Sequence, residues 1–353
     1  MKIAVLLSGG VDSSVAMKLL QEEGHQLTAF YLKVWLEDEA AFLGDCPWET
    51  DLEYVRAVCR DLGIPLEVVP LQAEYRRRVV EVAVRELKAG RTPSPDIFCN
   101  QRIKFGAFYD HIGSRFEKVA TGHYARLEGE SGNGARRLLR APDPVKDQTY
   151  FLSHLDQPQL ARALFPVGGL QKQQVRRLAS RFGLPNSKRR DSQGICFLGK
   201  IRYRDFVRFH LGEKAGSILD IDSGKELGRH QGYWFHTTGQ RQGLGLGGGP
   251  WYVVQKDVKR NLIFVAHQRT YLSRACRGFI LADLNWISGH APLRQRLQVK
   301  VRHGPGLIDC RIVPLPEGRW RVKLAQADPG VAPGQFGILY QREVCLGGGV
   351  IEG

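Results

Sequence analysis

The chain opens on an apolar run, Ile3-Ala4-Val5-Leu6-Leu7, that breaks directly into Ser8-Gly9-Gly10-Val11-Asp12-Ser13-Ser14. No other stretch constrains the fold as tightly. A partly β-branched apolar run bounded by Gly-Gly reads as a buried strand. From Ser13 the pattern turns helical, with Val15, Ala16, Leu19 and Leu20 on one face and Gly24 as the stop. Two glycines therefore occupy a tight strand-to-helix turn. There, backbone N–H groups approach an anion closely and the helix N-terminus adds its positive dipole end. Ser8, Ser13 and Ser14 add hydroxyls. The turn suits a phosphate, although a tight turn that holds no ligand shares the same pattern. It is not a Walker loop, because no Gly-Lys-Ser/Thr follows. Asp12 is the oddity. A carboxylate inside a phosphate cradle repels the ligand unless a cation lies between them, so Asp12 implies Mg2+ nearby, with its other ligands open.

Beyond the loop, strand and helix patterns alternate. The expected strands are 2–7, 27–34, 65–69 and 117–121, and the expected helices 13–23, 50–62 and 73–89. Such alternation predicts a Rossmann-like α/β domain over 1–160, with a parallel sheet and ligands at the C-terminal ends of its strands. Segment 91–105 breaks the pattern. Pro93 and Pro95 are expected to prevent a helix at its start, leaving Cys99 in irregular, basic chain. Residues 161–210 read as a helical basic segment, with a loop at 185–199 that carries Cys196. From 211 glycine rises and helical periodicity is lost, which predicts a small β-rich domain over 211–273. Short strands at 297–302, 308–313, 320–324 and 335–340, with turn residues between them, predict a small β-barrel over 274–353.

A chain of 353 residues needs two or three such units. Its net charge of +15 is unevenly placed. Residues 1–50 hold three Lys/Arg against eight Asp/Glu, whereas residues 171–210 hold eleven Lys/Arg against two Asp. A concentrated basic excess suggests a polyanionic partner, a solvated helix face being the plainer alternative. None of the seven cysteines forms a Cys-x-x-Cys pair, which argues against a disulfide scaffold or a zinc ribbon. No apolar run reaches membrane-spanning length and Met1-Lys2 leads straight into a strand, so a cytoplasmic protein with no membrane partner is expected. Cys99 and Cys196 both sit among Arg and Lys, which stabilise thiolate. Reactive and inert readings are both open for each, and their spacing does not show that they meet.

The opening loop resembles the pyrophosphate loop of the ATP pyrophosphatases, which cleave ATP to AMP and pyrophosphate. Further strings follow in order: Ser94-Pro95-Asp96-Ile97-Phe98-Cys99-Asn100, Ala120-Thr121-Gly122-His123-Tyr124, Lys146-Asp147-Gln148-Thr149-Tyr150-Phe151-Leu152, and Asp191-Ser192-Gln193-Gly194-Ile195-Cys196-Phe197. Together with Glu343-Val344-Cys345-Leu346-Gly347-Gly348-Gly349 near the end, the set resembles the tRNA-specific 2-thiouridylases over nearly the whole chain.

That resemblance implies ATP-dependent 2-thiolation of the wobble uridine in tRNAs of the Lys, Glu and Gln class, with Mg2+ and ATP as cofactors. It implies tRNA as partner, and a cysteine desulfurase or sulfur-relay protein as persulfide donor. Leu6, Leu7, Ser8, Gly9, Gly10, Val11, Asp12 and Ser13 match the ATP loop, and Leu32 and Gly122 the adenosine surroundings. Ser94, Pro95 and Asp96 match the stretch that receives the target base, with Ser94 where the family often has Asn. Cys99 matches the nucleophile and Cys196 the persulfide carrier, so a transient Cys99–Cys196 disulfide is implied. Lys146, Asp147 and Gln148 match one tRNA-contacting segment and Arg302 and His303 another, so the resemblance implies that the C-terminal barrel over 274–353 binds tRNA. Asp96 is the candidate general acid/base, a turn or capping carboxylate being the other reading. No role passes to Cys46. Another AMP-forming ligase or amidotransferase, or a tRNA-binding protein without catalysis, are the alternatives. The first would lack the paired cysteines, and the second would have no use for Asp12.

Overall fold

The computed structural model describes residues 1–34, 47–131, 135–191 and 203–352. Five parallel strands form the first sheet: β1 (Lys2–Leu6), β2 (Gln26–Lys33), β3 (Leu66–Pro70), β4 (Lys118–Ala120) and β7 (Ala163–Leu164), in the order β3-β2-β1-β4-β7. β1 is central, and Ile3, Ala4 and Val5 are fully buried. The period of a strand splits it between two cores. Ala4 and Leu6 join Phe30, Tyr75 and Phe108 on one face, while Ile3 and Val5 join Val15, Val55 and Val175 on the other. Each fully buried Val or Ile contributes about 1.5–3 kcal/mol, and this two-sided burial is why the run carries no polar alternation. Helices α1 (Val11–Glu22) and α2 (Pro47–Leu62) cover one face. β7 lies beyond residue 160, so the sheet draws its last strand from the segment read as helical.

The prolines at 93 and 95 do not hold off a helix. Helix α3 (Pro95–Cys99) starts on Pro95 and runs on through π-helical Asn100–Ala107 into Phe108–Ile112. Proline suits the first helical position, because its missing N–H would have no partner there in any case. Cys99 therefore sits on a helix, 5% exposed, and not in irregular chain.

A four-stranded sheet follows, in the order β10-β11-β8-β9, from β8 (Gly216–Asp220), β9 (Glu226–His230), β10 (Trp251–Asp257) and β11 (Leu262–His267). The C-terminal strands are β12 (Cys276–Trp286), β13 (Arg296–Lys300), β14 (Ile308–Pro314), β15 (Trp320–Asp328), β16 (Phe336–Gln341) and β17 (Val344–Ile351). They run β12-β15-β14-β13-β16-β17, and pairing of β12 with β17 closes them into a six-stranded barrel. Closure leaves no free edge within the ring. The first part of the chain adds a hairpin, β5 (Ala125–Ser131) and β6 (Ala135–Arg140), whose Leu138 and Leu139 pair with Cys345 and Val344 of β17. The parallel-sheet part of the chain and the barrel are thus stitched together by main-chain hydrogen bonds. Among the described residues no helix is long and apolar enough to cross a membrane.

Candidate active site

The turn after β1 and the turn after β4 meet at the C-terminal end of the parallel sheet. β2 lies on one side of β1 and β4 on the other, so this is the point where the strand order changes direction, the usual ligand crevice of such sheets. Gly9 adopts φ +75°, and a Cβ there would lie 2.7 Å from the Asp51 carbonyl and from the Arg189 guanidinium. At Gly122 a Cβ would come within 2.6 Å of the Ser13 nitrogen. Only glycine lets the second turn rest on the N-terminus of α1.

The hydroxyls of Ser13 and Ser14 both donate to the Gly10 carbonyl at 3.1 Å, and Asn186 Nδ2 donates to the Gly9 carbonyl and to Ser14 Oγ at 2.9 Å. Arg189 also donates to the Gly9 carbonyl, at 3.0 Å, and pairs with Asp51. The carbonyls of the turn are therefore tied back into protein.

A cleft of about 320 Å³ opens beside this turn. Its lining brings together Leu6, Leu7, Ser8, Gly10, Val11, Asp12 and Ser13 with Leu32, Gly122, Lys146, Gln148 and Cys99. Residues from five separate sequence strings thus share one wall. Cys99 enters from the end of α3. Asp96, one turn earlier on that helix, lies within electrostatic reach of His303 in the barrel, and Ser94 hydrogen-bonds the Tyr150 hydroxyl. His303 stacks on Phe151 at 4.6 Å and shares a hydrogen bond with the Asp147 carbonyl at 3.2 Å. Its burial holds the imidazole below its ordinary pKa. Arg302 makes a fork of 2.9 and 2.8 Å on Asp328.

The 146–148 string divides. Lys146 and Gln148 line the cleft, whereas Asp147 turns the other way. Its side chain is wholly buried and accepts from Lys300 at 2.9 Å and from the Thr149 hydroxyl at 2.8 Å. Its position gives it an internal lysine as partner and no solvent-facing surface.

Asp12 also has a countercharge within the chain. Lys172, at the start of helix α4 (Lys172–Arg181), donates to both its oxygens at 2.7 and 2.9 Å, and the Tyr124 hydroxyl donates to Oδ1 at 2.8 Å. The same ammonium reaches Asp191 at 2.8 Å, which Lys146 contacts at 2.7 Å and Arg176 also holds. Burial pushes the Asp191 carboxyl up, but the Lys146 and Lys172 ammoniums more than reverse this and hold it below the usual carboxylate range. Lys172, Tyr124, Asp191 and Asn186 carry no site assignment from sequence. Lys172, Arg176 and Arg189 belong to the basic tract whose charge suggests a polyanionic partner, yet all three turn inward onto carboxylates.

Two carboxylates that converge on one cation form a hard oxygen donor set of the kind Mg2+ takes, which needs only one or two carboxylates beside phosphate oxygens and water. Asp12 and Asp191 fit the ion in this sense. Among the described residues no group of three or more His, Cys, Asp or Glu converges to hold a metal. Cys196, like Cys46, lies outside the described residues, and its segment joins them at Asp191. Burial pushes the thiol of Cys59 up to about 11, and those of Cys310 and Cys345 to about 12, which leaves these three inert near neutrality.

Family models match three consecutive parts of the chain. They are described as the tRNA methyl transferase HUP domain for residues 1–200, the tRNA methyl transferase PRC-barrel domain for 204–267 and the aminomethyltransferase beta-barrel domain for 276–351. Among solved structures, the NMN synthetase of Francisella tularensis aligns over 60% of this chain and 77% of its own, at 16% identity and a TM-score of 0.35. A tRNA-specific 2-thiouridylase of Porphyromonas gingivalis is 44% identical over 364 residues, and one of Bacteroides thetaiotaomicron is 46% identical over 357, each alignment spanning 99% of both chains. Likeness at that level from end to end makes this chain a member of the tRNA-specific 2-thiouridylase family.

Proposed function

We propose that the chain converts the wobble uridine of tRNA to 2-thiouridine at the expense of ATP. One observation carries this reading over methyl transfer: a phosphate-binding turn and the Cys99 thiol share one cleft. Sulfur transfer to a phosphate-activated carbonyl needs both.

A uracil C2 carbonyl is a poor electrophile, and its oxygen a poor leaving group. The C2 oxygen attacks the α-phosphorus of ATP, pyrophosphate leaves, and C2 then carries an adenylate. The N–H groups at the start of α1 face the phosphates, and Lys172 moves from Asp12 to a phosphate oxygen. Asp12 and Asp191 would hold magnesium, which when bound neutralises charge on the triphosphate.

Sulfur arrives as a persulfide on Cys196. Its terminal sulfur bonds to C2 and AMP leaves with the former C2 oxygen. The Cys99 thiolate attacks the inner sulfur and the S–S bond of the persulfide breaks. Its electron pair goes to the transferred sulfur, and a Cys99–Cys196 disulfide remains for an external dithiol to reduce. Asp191 lines the cleft, and Cys196 follows it by five positions in the sequence. Asp96 is the group that moves protons on the base, and Phe151 with His303 offers a stacking platform beside it.

The test uses unmodified tRNA, ATP, cysteine and a cysteine desulfurase, with thionucleoside read by retardation on a mercury-containing gel. Cys99→Ala is expected to lower product by about 10³-fold or more, as loss of a nucleophile does. Asp12→Asn is expected to lower it about 100-fold while leaving the fold intact. Full activity in Cys99→Ala would sink the sulfur-transfer scheme. Product without ATP would sink the activation step.

A further inference from the structure

β13, β14 and β15 are neighbours in the barrel, and their register sets Arg296 opposite Arg311 and Arg311 opposite Lys323. All three side chains are exposed, while Leu297, Cys310, Ile312, Val322 and Leu324 alternate with them into the barrel core. Like charges directly opposite one another destabilise a sheet. The barrel therefore gains nothing for itself from a cationic row across three strands. Arg311 hydrogen-bonds Gln295 at 3.2 Å, and among the described residues no carboxylate pairs with any member of the row.

A groove of about 710 Å³ runs over the row, flanked by Arg294 and Arg342, both exposed. Among its described lining residues Asp309 is the one carboxylate, and Gln298 donates to it at 3.0 Å. Past Arg294 and Arg342 a second cleft continues the surface to Arg136 on the hairpin β5–β6.

We propose that this row is a surface that binds RNA phosphates. It would lay the sugar–phosphate backbone along the barrel while the target base is processed in the cleft. The proposal rests on the reading of tRNA as substrate. Adjacent strands lie about 4.8 Å apart, so the row spreads three cations over roughly 10 Å, a spacing suited to a linear polyanion and not to a point anion. Guanidinium forks match phosphate oxygens. Tyr340, the aromatic residue among the described lining, is fully buried, so the surface offers no platform for base stacking. Such contacts position RNA without reading its sequence.

The test is the variant R296Q/R311Q/K323Q, with unmodified tRNA binding measured between about 50 and 300 mM salt, beside a thermal midpoint and thiolation kinetics. The dissociation constant is expected to rise about tenfold or more, and the slope of log K against log salt to shrink by about 2–3. The thermal midpoint should hold or rise as like-charge repulsion is relieved, and kcat at saturating tRNA should persist. An unchanged dissociation constant and slope would overturn the proposal. A fallen midpoint with an unchanged slope would overturn it by making the row structural. If wild type binds tRNA yet never thiolates it, the function reading fails. The slope change in the variant then still supports the surface.

Discussion

Two aspartate–lysine pairs in this molecule look alike on paper and differ in consequence. Asp12 meets Lys172 at 2.7 Å and Asp147 meets Lys300 at 2.9 Å. In the first pair the side chains are 29% and 14% exposed; in the second neither has any exposure. Lys172 is shared between Asp12 and Asp191, both of which line the cleft, so on the proposed mechanism an incoming phosphate takes it from its carboxylates. Asp147 is saturated by Lys300, Thr149, Arg140 and the Ala141 N–H, in the seam where the segment after β6 meets β13 of the barrel. Its side chain has no exposure. A wet, shared pair can act as a placeholder for ligand, whereas a dry, saturated one works as a joint.

The largest expected effect breaks the joint. Lys300→Met leaves the Asp147 carboxylate buried without its ammonium and is expected to cost about 3–5 kcal/mol in urea denaturation. Because the penalty comes from a wholly buried carboxylate left with Arg140, at 3.3 Å, as its remaining cation, D147N/K300M should recover most of it. A Lys300→Met protein as stable as wild type would show that water reaches the seam, and the contrast would collapse.

The same contrast explains what the sequence disclosed. The phosphate turn, the flanking elements and Cys99 were legible because each is a local pattern: an apolar run, two glycines, a short string. Lys172 was not, because it lies 160 positions from Asp12 and sits in a tract whose charge suggested an outward face. The acidic excess of residues 1–50 and the basic excess of 171–210 held the clue, since Asp12–Lys172 and Asp51–Arg189 join the two regions or their borders. Asp147 was given a tRNA contact through its string, but nothing local tells which of three adjacent polar residues turns inward. The helix through Cys99 does not show in the sequence, because a proline such as Pro95 reads as a breaker as readily as a first-turn residue. β17 was missed because Gly347, Gly348 and Gly349 look like loop, yet a Cβ at Gly348 would lie 2.3 Å from the Gly337 carbonyl. The barrel closes around strands packed too tightly there for side chains.

A smaller effect is expected in acid. At Asp147 burial alone would raise the carboxyl, but Lys300 and Thr149 hold it below its ordinary range, as Lys146 and Lys172 do for Asp191. A depressed folded pKa means the unfolded chain binds the proton more readily. The stability from both groups is therefore fully present above about pH 4 and is lost as pH falls through the folded values. D147N/K300M removes one of these groups, so its stability should fall less steeply below pH 4 than that of wild type. An unchanged acid limb would mean that Asp147 binds its proton equally readily in the folded and the unfolded chain, with no depression by Lys300.

The smallest expected effect on stability is in the cleft. Lys172→Met removes the ammonium from Asp12 and Asp191, but Tyr124 still donates to Asp12, and Lys146 and Arg176 still hold Asp191. Both carboxylates also keep access to water. The unfolding free energy from urea denaturation should therefore shift by no more than about 1 kcal/mol. Function should respond more: without the cation that passes to phosphate, the KM for ATP is expected to rise about tenfold or more, the worth of one charged hydrogen bond. If Lys172→Met instead costs as much stability as Lys300→Met, the cleft pair is also a joint. Asp12 would then need a cation brought in with the nucleotide, because Lys172 could not be released to meet it.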